Sequence, residues 1–181
     1  AFDCVDHKIL LNKLQYYGIR GLAWQWFASY LDNRKQFVQV NDTKSNIVSL
    51  NCGVPQGSVL GPLLFLLSIN DIPNSGNYES LNLFADDTCM FVNDKDVENL
   101  FRKCNVQLQN LYDWFLSNKL SLNSEKCVYS LFGKNSNLIN DTYVVKINNK
   151  ILKRENCVKY LGMLIDEKLS WDEHIQYVIK K

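Results

Sequence analysis

Apolar residues recur at helical spacing in some stretches of the chain and in short strand-like runs in others. Ile9, Leu10, Leu14 and Tyr17 line one face of a helix over about His7 to Tyr17. Asp6 is placed to cap its start and Gly18 to end it. Trp24, Trp26, Phe27 and Tyr30 mark a second helix over about Leu22 to Leu31, broken by Asp32-Asn33-Arg34. Gln36 to Val40 and Ile47 to Leu50 read as two strands around the polar turn Asn41 to Asn46. Gly53-Val54-Pro55-Gln56-Gly57-Ser58 is a loop, because Pro55 and two glycines exclude regular structure. A buried helix over about Pro62 to Asn70 follows, with Pro62 in its first turn. Leu81 to Ala85 and Thr88 to Val92 are apolar strands with only Asp86-Asp87 between them, which predicts a tight hairpin.

The longest amphipathic pattern runs through Val97, Leu100, Phe101, Cys104, Leu108, Leu111, Tyr112 and Phe115. It predicts a helix from Val97 to about Asn118, capped by Asp94 or Asp96. Val128 to Phe132 and Val158 to Ile165 read as strands. Tyr143 to Ile147 and Ile151-Leu152 flank the hairpin signal Asn148-Asn149-Lys150. Ser170-Trp171-Asp172-Glu173 has the form of a capping box that opens a last helix. Helices and strands mix without βαβ alternation, so the predicted class is α+β, with helices on one face of a small antiparallel sheet. No internal repeat is visible, and Pro73 to Ser80 reads as a loop.

Composition narrows this picture. The 181 residues are 46% hydrophobic and 22% charged, which excludes a disordered chain and suits about one domain. Twenty basic against nineteen acidic residues leave +1, so only local contacts can decide a nucleic-acid partner. The six cysteines include no C-x-x-C pair, and His7 and His174 are the only histidines, so a structural zinc site is not expected. Buried, reduced thiols in an intracellular protein are expected instead. Val59 to Ile69 is too short to span a bilayer and contains Gly61 and Pro62, so no membrane partner is predicted. Ala1-Phe2-Asp3 does not read as a signal peptide. The chain opens without Met and stops inside a predicted helix, so it reads as a piece of a longer protein.

Asp86-Asp87 is the sharpest chemical feature. Neighbouring strand residues point to opposite faces, so two adjacent aspartates converge only at a turn. Two carboxylates so close repel each other unless a cation is present, and a hard divalent ion, Mg²⁺ or Mn²⁺, is the natural partner. Aspartates are also ordinary hairpin-turn residues, and taken alone the dipeptide favours that reading without deciding it.

The order of features does choose. Ala1-Phe2-Asp3, then Gly53 to Pro62, Phe84-Ala85-Asp86-Asp87, Asn123-Ser124-Glu125-Lys126 and Tyr160-Leu161-Gly162 follow one another along the chain. This arrangement resembles the palm of reverse transcriptases and, more narrowly, the non-LTR (LINE-type, jockey-like) retrotransposon enzymes. The resemblance implies a polymerase palm over residues 1–165 and the start of a thumb helix over 166–181. It implies RNA-directed DNA synthesis for retrotransposon replication, by two-metal nucleotidyl transfer with Mg²⁺ or Mn²⁺. The implied partners are an RNA template, a DNA primer and dNTPs, with an endonuclease domain upstream in the full-length protein. The implied location is nuclear during target-primed synthesis and cytoplasmic otherwise.

Residue by residue, the resemblance makes Asp86 the principal metal ligand and Asp87 its partner. Lys126 matches the family's candidate general acid for pyrophosphate release, although a solvated surface lysine is the plainer reading. Phe2 matches the aromatic ring beneath the incoming sugar, where bulk selects dNTP over rNTP. Gln56 and Gly57 match the loop against the nucleotide and template base. Tyr160-Leu161-Gly162 matches the primer-grip hairpin, with an edge strand carrying a glycine bulge as the plainer reading. Arg34 and Gln36 are candidates for template phosphate, against an ordinary solvated turn. The family's first metal-binding aspartate falls three residues before the Ala1-Phe2-Asp3 run, and the fingers precede that. The 181-residue chain is therefore expected to be inactive by itself. A group II intron-type reverse transcriptase is one alternative, and a decayed or domesticated nucleic-acid-binding module another. The tail from Tyr160-Leu161-Gly162 to Ile175 favours the LINE type over the intron type. Trp24, Trp26, Tyr112 and Trp114 are expected to be core residues, and His7 and His174 are assigned no chemistry.

Overall fold

Asp6 starts the first helix as its position predicts, accepting from the backbone N–H of Ile9 at 3.0 Å. A computed structural model describes residues 1–133 and 142–181 and divides them into two units. The first comprises residues 1–91 and 113–121, the second residues 92–112 and 122–181.

The first unit opens with a single 3-10 turn, Phe2–Cys4, followed by α1 (His7–Tyr16) and α2 (Gly21–Leu31). Next come β1 (Lys35–Gln36), β2 (Gln39–Val40), β3 (Thr43–Lys44) and β4 (Val48–Ser49). Then follow α3 (Leu60–Ile69), a 3-10 turn at Ile72–Ser75, β5 (Ser80–Phe84) and β6 (Asp87–Phe91). α1 packs against both α2 and α3, and Leu10, Leu14, Leu31, Leu64, Phe65 and Ile72 are fully enclosed. One polar group crosses this core. The Lys13 ammonium donates to the Ser68 carbonyl at 2.6 Å, pairs with Asp71 at 2.5 Å and sits 4.6 Å from the Trp114 ring centre. Burial lowers the Lys13 pKa and the Asp71 carboxylate opposes that shift. Removing either partner would leave a charge without compensation, which is the costly way to break such a pair.

The expected strands Gln36 to Val40 and Ile47 to Leu50 form a bent hairpin. β1 pairs with β4 and β2 with β3, all antiparallel, and the pairing shifts by one residue between the two halves. Ser45 occupies the irregularity, donating its N–H to the Val38 carbonyl while its Oγ accepts from the Val38 N–H. Two of the six residues of the polar turn expected over Asn41 to Asn46, Thr43 and Lys44, are therefore strand.

α4 (Val97–Ser117) carries the predicted amphipathic stripe, and Asp96 caps it by accepting from the Asn99 N–H at 2.8 Å. In the second unit Val97, Phe101, Cys104, Leu108 and Tyr112 of this stripe gather with Val145, Ile147 and Leu152. The Phe101 ring stacks on Tyr143 and meets Tyr129 edge-on. β7 (Val128–Tyr129) pairs in parallel with β10 (Lys153–Arg154). β8 (Lys146–Ile147) and β9 (Lys150–Ile151) form the hairpin predicted around Asn148-Asn149. β11 (Cys157–Tyr160) and β12 (Met163–Asp166) form another, against which α5 (Asp172–Ile179) packs.

The α+β class holds, with corrections. Among the described residues the strands make separate two-stranded pairs, five antiparallel and one parallel, rather than one antiparallel sheet. The strand expected over Val128 to Phe132 pairs only at Val128–Tyr129. Val158 to Ile165 is two strands folded back on each other. The thiols are free, but Cys4 and Cys52 are exposed and the other four are half-buried. Cys104, on the buried stripe of α4, has its pKa pushed up to about 11 by desolvation. Trp114 is buried, whereas Trp26 lies half open to solvent against Tyr30. No helix among the described residues is long and apolar enough to cross a membrane.

Candidate active site

β5 and β6 pair in register from Ser80↔Phe91 to Phe84↔Asp87. The two-residue turn is therefore Ala85-Asp86, one residue earlier than the expected Asp86-Asp87 turn, and Asp87 is the first residue of β6. Ala85 takes a left-handed φ of 49°, which lets the chain reverse within two residues and brings the consecutive aspartates to one end of the ribbon. Both aspartates are exposed. Among the described residues neither makes a salt bridge or a side-chain hydrogen bond, so no protein cation offsets their repulsion.

This donor set can be tested against a divalent ion. No group of three or more His, Cys, Asp or Glu among the described residues is arranged to hold a metal. Mg²⁺ does not need one, because it commonly takes one or two carboxylates and completes its shell with water and substrate phosphate. Two hard, unpaired carboxylates at an exposed tip fit that requirement.

The Gly53–Ser58 loop is built in the opposite way. Gly53 donates its N–H to the Val5 carbonyl at 2.8 Å and Val54 donates to the Phe2 carbonyl at 2.9 Å. His7 Nε2 lies 2.7 Å from the Gly53 carbonyl, so the ring must donate there. Gly53 has a φ of 89°, and a Cβ on it would fall 2.9 Å from the Asp3 carbonyl oxygen. At the far end Ser58 Oγ donates to the Pro55 carbonyl and accepts from the Gly61 N–H, opening α3 two residues before the predicted start. Phe2 is half-buried, one face stacked on Phe65 with ring centres 4.3 Å apart. Gln56 and Gly57 stay exposed at the crest. The structure thus joins Phe2 to the Gln56-Gly57 loop directly. Among the described residues no hydrogen bond or ion pair joins that loop to the Asp86 tip.

Two further contacts escaped the sequence reading. The Gln56 amide donates to both carboxylate oxygens of Asp3, at 2.8 and 3.0 Å. His7, assigned no chemistry from the sequence, anchors Gly53. The signal that could have found His7 is its place at the first residue of α1, directly after the cap. Arg34 lies over the Tyr30 ring at 5.5 Å, and Gln36 is exposed on β1.

The remaining candidates belong to the second unit. Lys126 is exposed, in a turn where its N–H donates to the Asn123 carbonyl. Tyr160 and Met163 close the β11–β12 hairpin around Leu161-Gly162, whose φ values of 46° and 87° suit a two-residue turn. A hairpin is what the primer-grip resemblance implies, and no glycine bulge is needed. His174, also unassigned, accepts from the Leu164 N–H at 3.3 Å through Nδ1. Asp166 is a buried carboxylate that the sequence reading passed over. It accepts from the backbone N–H groups of Lys168, Ser170 and Trp171 and from the Ser170 hydroxyl. Those donors, Ser170 first, hold its pKa below the ordinary 3.8. The reciprocal capping box does not form, since Ser170 Oγ accepts from Asp172 and Asp166 organises the turn instead.

Comparison with known proteins places these features in a family. Residues 1–165 match the model for "Reverse transcriptase (RNA-dependent DNA polymerase)". Over 97% of its length the chain is 30% identical to the RNA-directed DNA polymerase from mobile element jockey of Drosophila funebris, covering 19% of that protein. It is 28% identical over 100% of its length to the probable RNA-directed DNA polymerase from transposon BS of Drosophila melanogaster, covering 20% of it. A retrovirus-related Pol polyprotein from type-1 retrotransposable element R1 2 of Nasonia vitripennis is 30% identical over 68% of the chain, which covers 32% of that protein. The chain thus spans about a fifth of the length of the first two relatives.

Proposed function

The chain belongs to the reverse transcriptase family, and from that premise we propose that it is the polymerase core of a non-LTR retrotransposon enzyme that copies RNA into DNA. The observation that carries the reading is the exposed, unpaired Asp86-Asp87 tip of a tight antiparallel hairpin. These two carboxylates hold Mg²⁺ or Mn²⁺. Divalent ions held there would supply activation of the primer 3′-hydroxyl and neutralisation of the leaving pyrophosphate. The chain's other residues bind and orient. Phe2, braced on Phe65, fills the space a ribose 2′-hydroxyl would need. Gln56 and Gly57 lie against the nucleotide and template base, with Gly57 at a φ of 78° allowing close backbone approach. The Tyr160-Leu161-Gly162 hairpin holds the primer end, and Arg34, braced on Tyr30, meets template phosphate. Lys126 donates a proton to the leaving pyrophosphate.

In this reading residues 1–165 form the palm and 166–181 begin the thumb. The partners are an RNA template, a DNA primer and dNTPs. The full-length protein carries an endonuclease domain upstream. The enzyme works in the nucleus during target-primed synthesis and is cytoplasmic otherwise. The test is Mg²⁺-dependent primer extension on an RNA template by the full-length protein. Asp86→Ala should abolish extension, and full activity in that variant would end the proposal. Phe2→Val should raise rNTP incorporation, and unchanged sugar selectivity would remove Phe2 from its role.

A further inference from the structure

We propose that Asp3 is a positioning residue for nucleotide binding: its carboxylate locks the Gln56 side chain in one orientation, amide inward and carbonyl outward. This rests on the nucleotide role given to Gln56 above. An amide's two ends are alike in shape, and only their partners distinguish them. A carboxylate accepts and does not donate, so the end of Gln56 facing Asp3 at 2.8 and 3.0 Å must be its NH₂ group. The Nε2 group is shared between the two carboxylate oxygens of one residue, which turns Oε1 away from Asp3 as the acceptor that meets a ligand. The loop crest therefore offers an acceptor, and its complement on the incoming nucleotide is an O–H or N–H donor.

The backbone makes this contact more than a chance meeting of two exposed side chains. Asp3 lies in the Phe2–Cys4 turn, which is fixed to the loop by the Val54–Phe2 and Gly53–Val5 hydrogen bonds. The Gly53 α-carbon sits so close to Asp3 that a Cβ there would meet the Asp3 carbonyl oxygen at 2.9 Å and its Cα at 3.0 Å. His7 holds the same glycine from the other side at 2.7 Å. The ring of Phe2 and the amide of Gln56 are thus set by one three-residue turn, with Phe65 beneath the ring. Neighbouring residues fix two elements of recognition, the ring through stacking and the amide through the carboxylate.

The test is steady-state dNTP kinetics of RNA-templated primer extension by the full-length protein. Asp3→Ala should raise the dNTP KM about fivefold, the scale of one exposed hydrogen bond, and leave kcat within about twofold. Gln56→Ala should do the same, and the double variant should be no worse than Gln56→Ala alone, because Asp3 acts through Gln56. The near-isosteric Asp3→Asn, which keeps an acceptor but permits the flipped amide pair, should fall between wild type and Asp3→Ala. An unchanged or lowered KM in Asp3→Ala, or multiplicative effects in the double variant, overturns the proposal. Loss of the polymerase reading shows differently, as a wild-type protein that does not extend primers or an Asp86→Ala variant that does. A crystal structure with Gln56 turned away from Asp3 overturns the positioning role whatever the activity.

Discussion

Two exposed features of the first unit are held in opposite ways. The Gly53–Ser58 loop is tied to the Phe2–Cys4 turn, to α1 and to the start of α3, so that Gln56 projects from a fixed base. The Asp86-Asp87 tip has a regular hairpin behind it and, among the described residues, no protein partner in front. The difference follows from what each has to meet. A neutral group that must recognise shape works best when its hydrogen bonds are already arranged. A pair of carboxylates that must bind cations loses that capacity once a lysine or arginine neutralises it.

The strongest test removes one charge from the tip. Asp86→Asn should lower primer extension by at least about 10²-fold, the scale of losing one preorganised electrostatic group. Its melting temperature should not fall, because no protein contact is lost. A clear loss of stability on calorimetry would show that the carboxylate is structurally engaged and would break the contrast. The loop should respond in the reverse sense. In Gly61→Ala the new Cβ would collide with the Pro55 carbonyl oxygen, so backbone must shift at the loop's end. We expect a loss of about 1–3 kcal/mol by urea denaturation. Unaltered stability would mean that this end of the loop is not pinned.

A third carboxylate sharpens the contrast. Asp166 accepts from three backbone N–H groups and a hydroxyl, whereas Asp86 and Asp87 accept from none among the described residues. Its folded pKa is depressed below 3.8, so its contribution to stability is fully present above the unfolded value. That contribution is lost as pH falls through the depressed folded value. Asp166→Asn should therefore lower the melting temperature at neutral pH and flatten its decline toward strong acid. A variant whose acid limb matches wild type would remove Asp166 from this role.

Local chemistry was legible wherever one residue decides the outcome. Asp6 and Asp96 cap helices because a short carboxylate before an apolar repeat has few better partners than free backbone N–H groups. The α4 stripe was readable because its spacing suits one buried face. Register was less legible. The one-residue slip at Ser45 and the turn at Leu161-Gly162 depend on pairing that composition does not encode strongly, since Val158 to Ile165 is as apolar as a single strand. At the candidate site the aspartate pair was visible as a dipeptide. The Asp3–Gln56 and His7–Gly53 contacts were not, because they join positions 53 and 46 residues apart. Asp166 was missed for a nearer reason. Its partners lie within five residues, but the Ser170-Trp171-Asp172-Glu173 pattern beside it has the form of a capping box.

The smallest expected effect concerns the turn beneath the tip. The described structure has four hairpins with two-residue turns that begin with a left-handed residue: Asn41-Asp42, Ala85-Asp86, Asn148-Asn149 and Leu161-Gly162. Asparagine tolerates that backbone region, whereas alanine and leucine enter it at a cost of roughly 1 kcal/mol. Ala85, at a φ of 49°, therefore stores strain one residue before the aspartate that the proposed reaction needs most. Ala85→Gly should relieve part of it and raise stability by about 0.5 kcal/mol, because glycine's greater freedom in the unfolded chain offsets the rest. If the strained alanine also fixes the direction of Asp86, the stabilised variant should extend primers a few-fold more slowly. Unchanged activity together with raised stability would locate the aim of Asp86 in the β5–β6 pairing rather than in the turn.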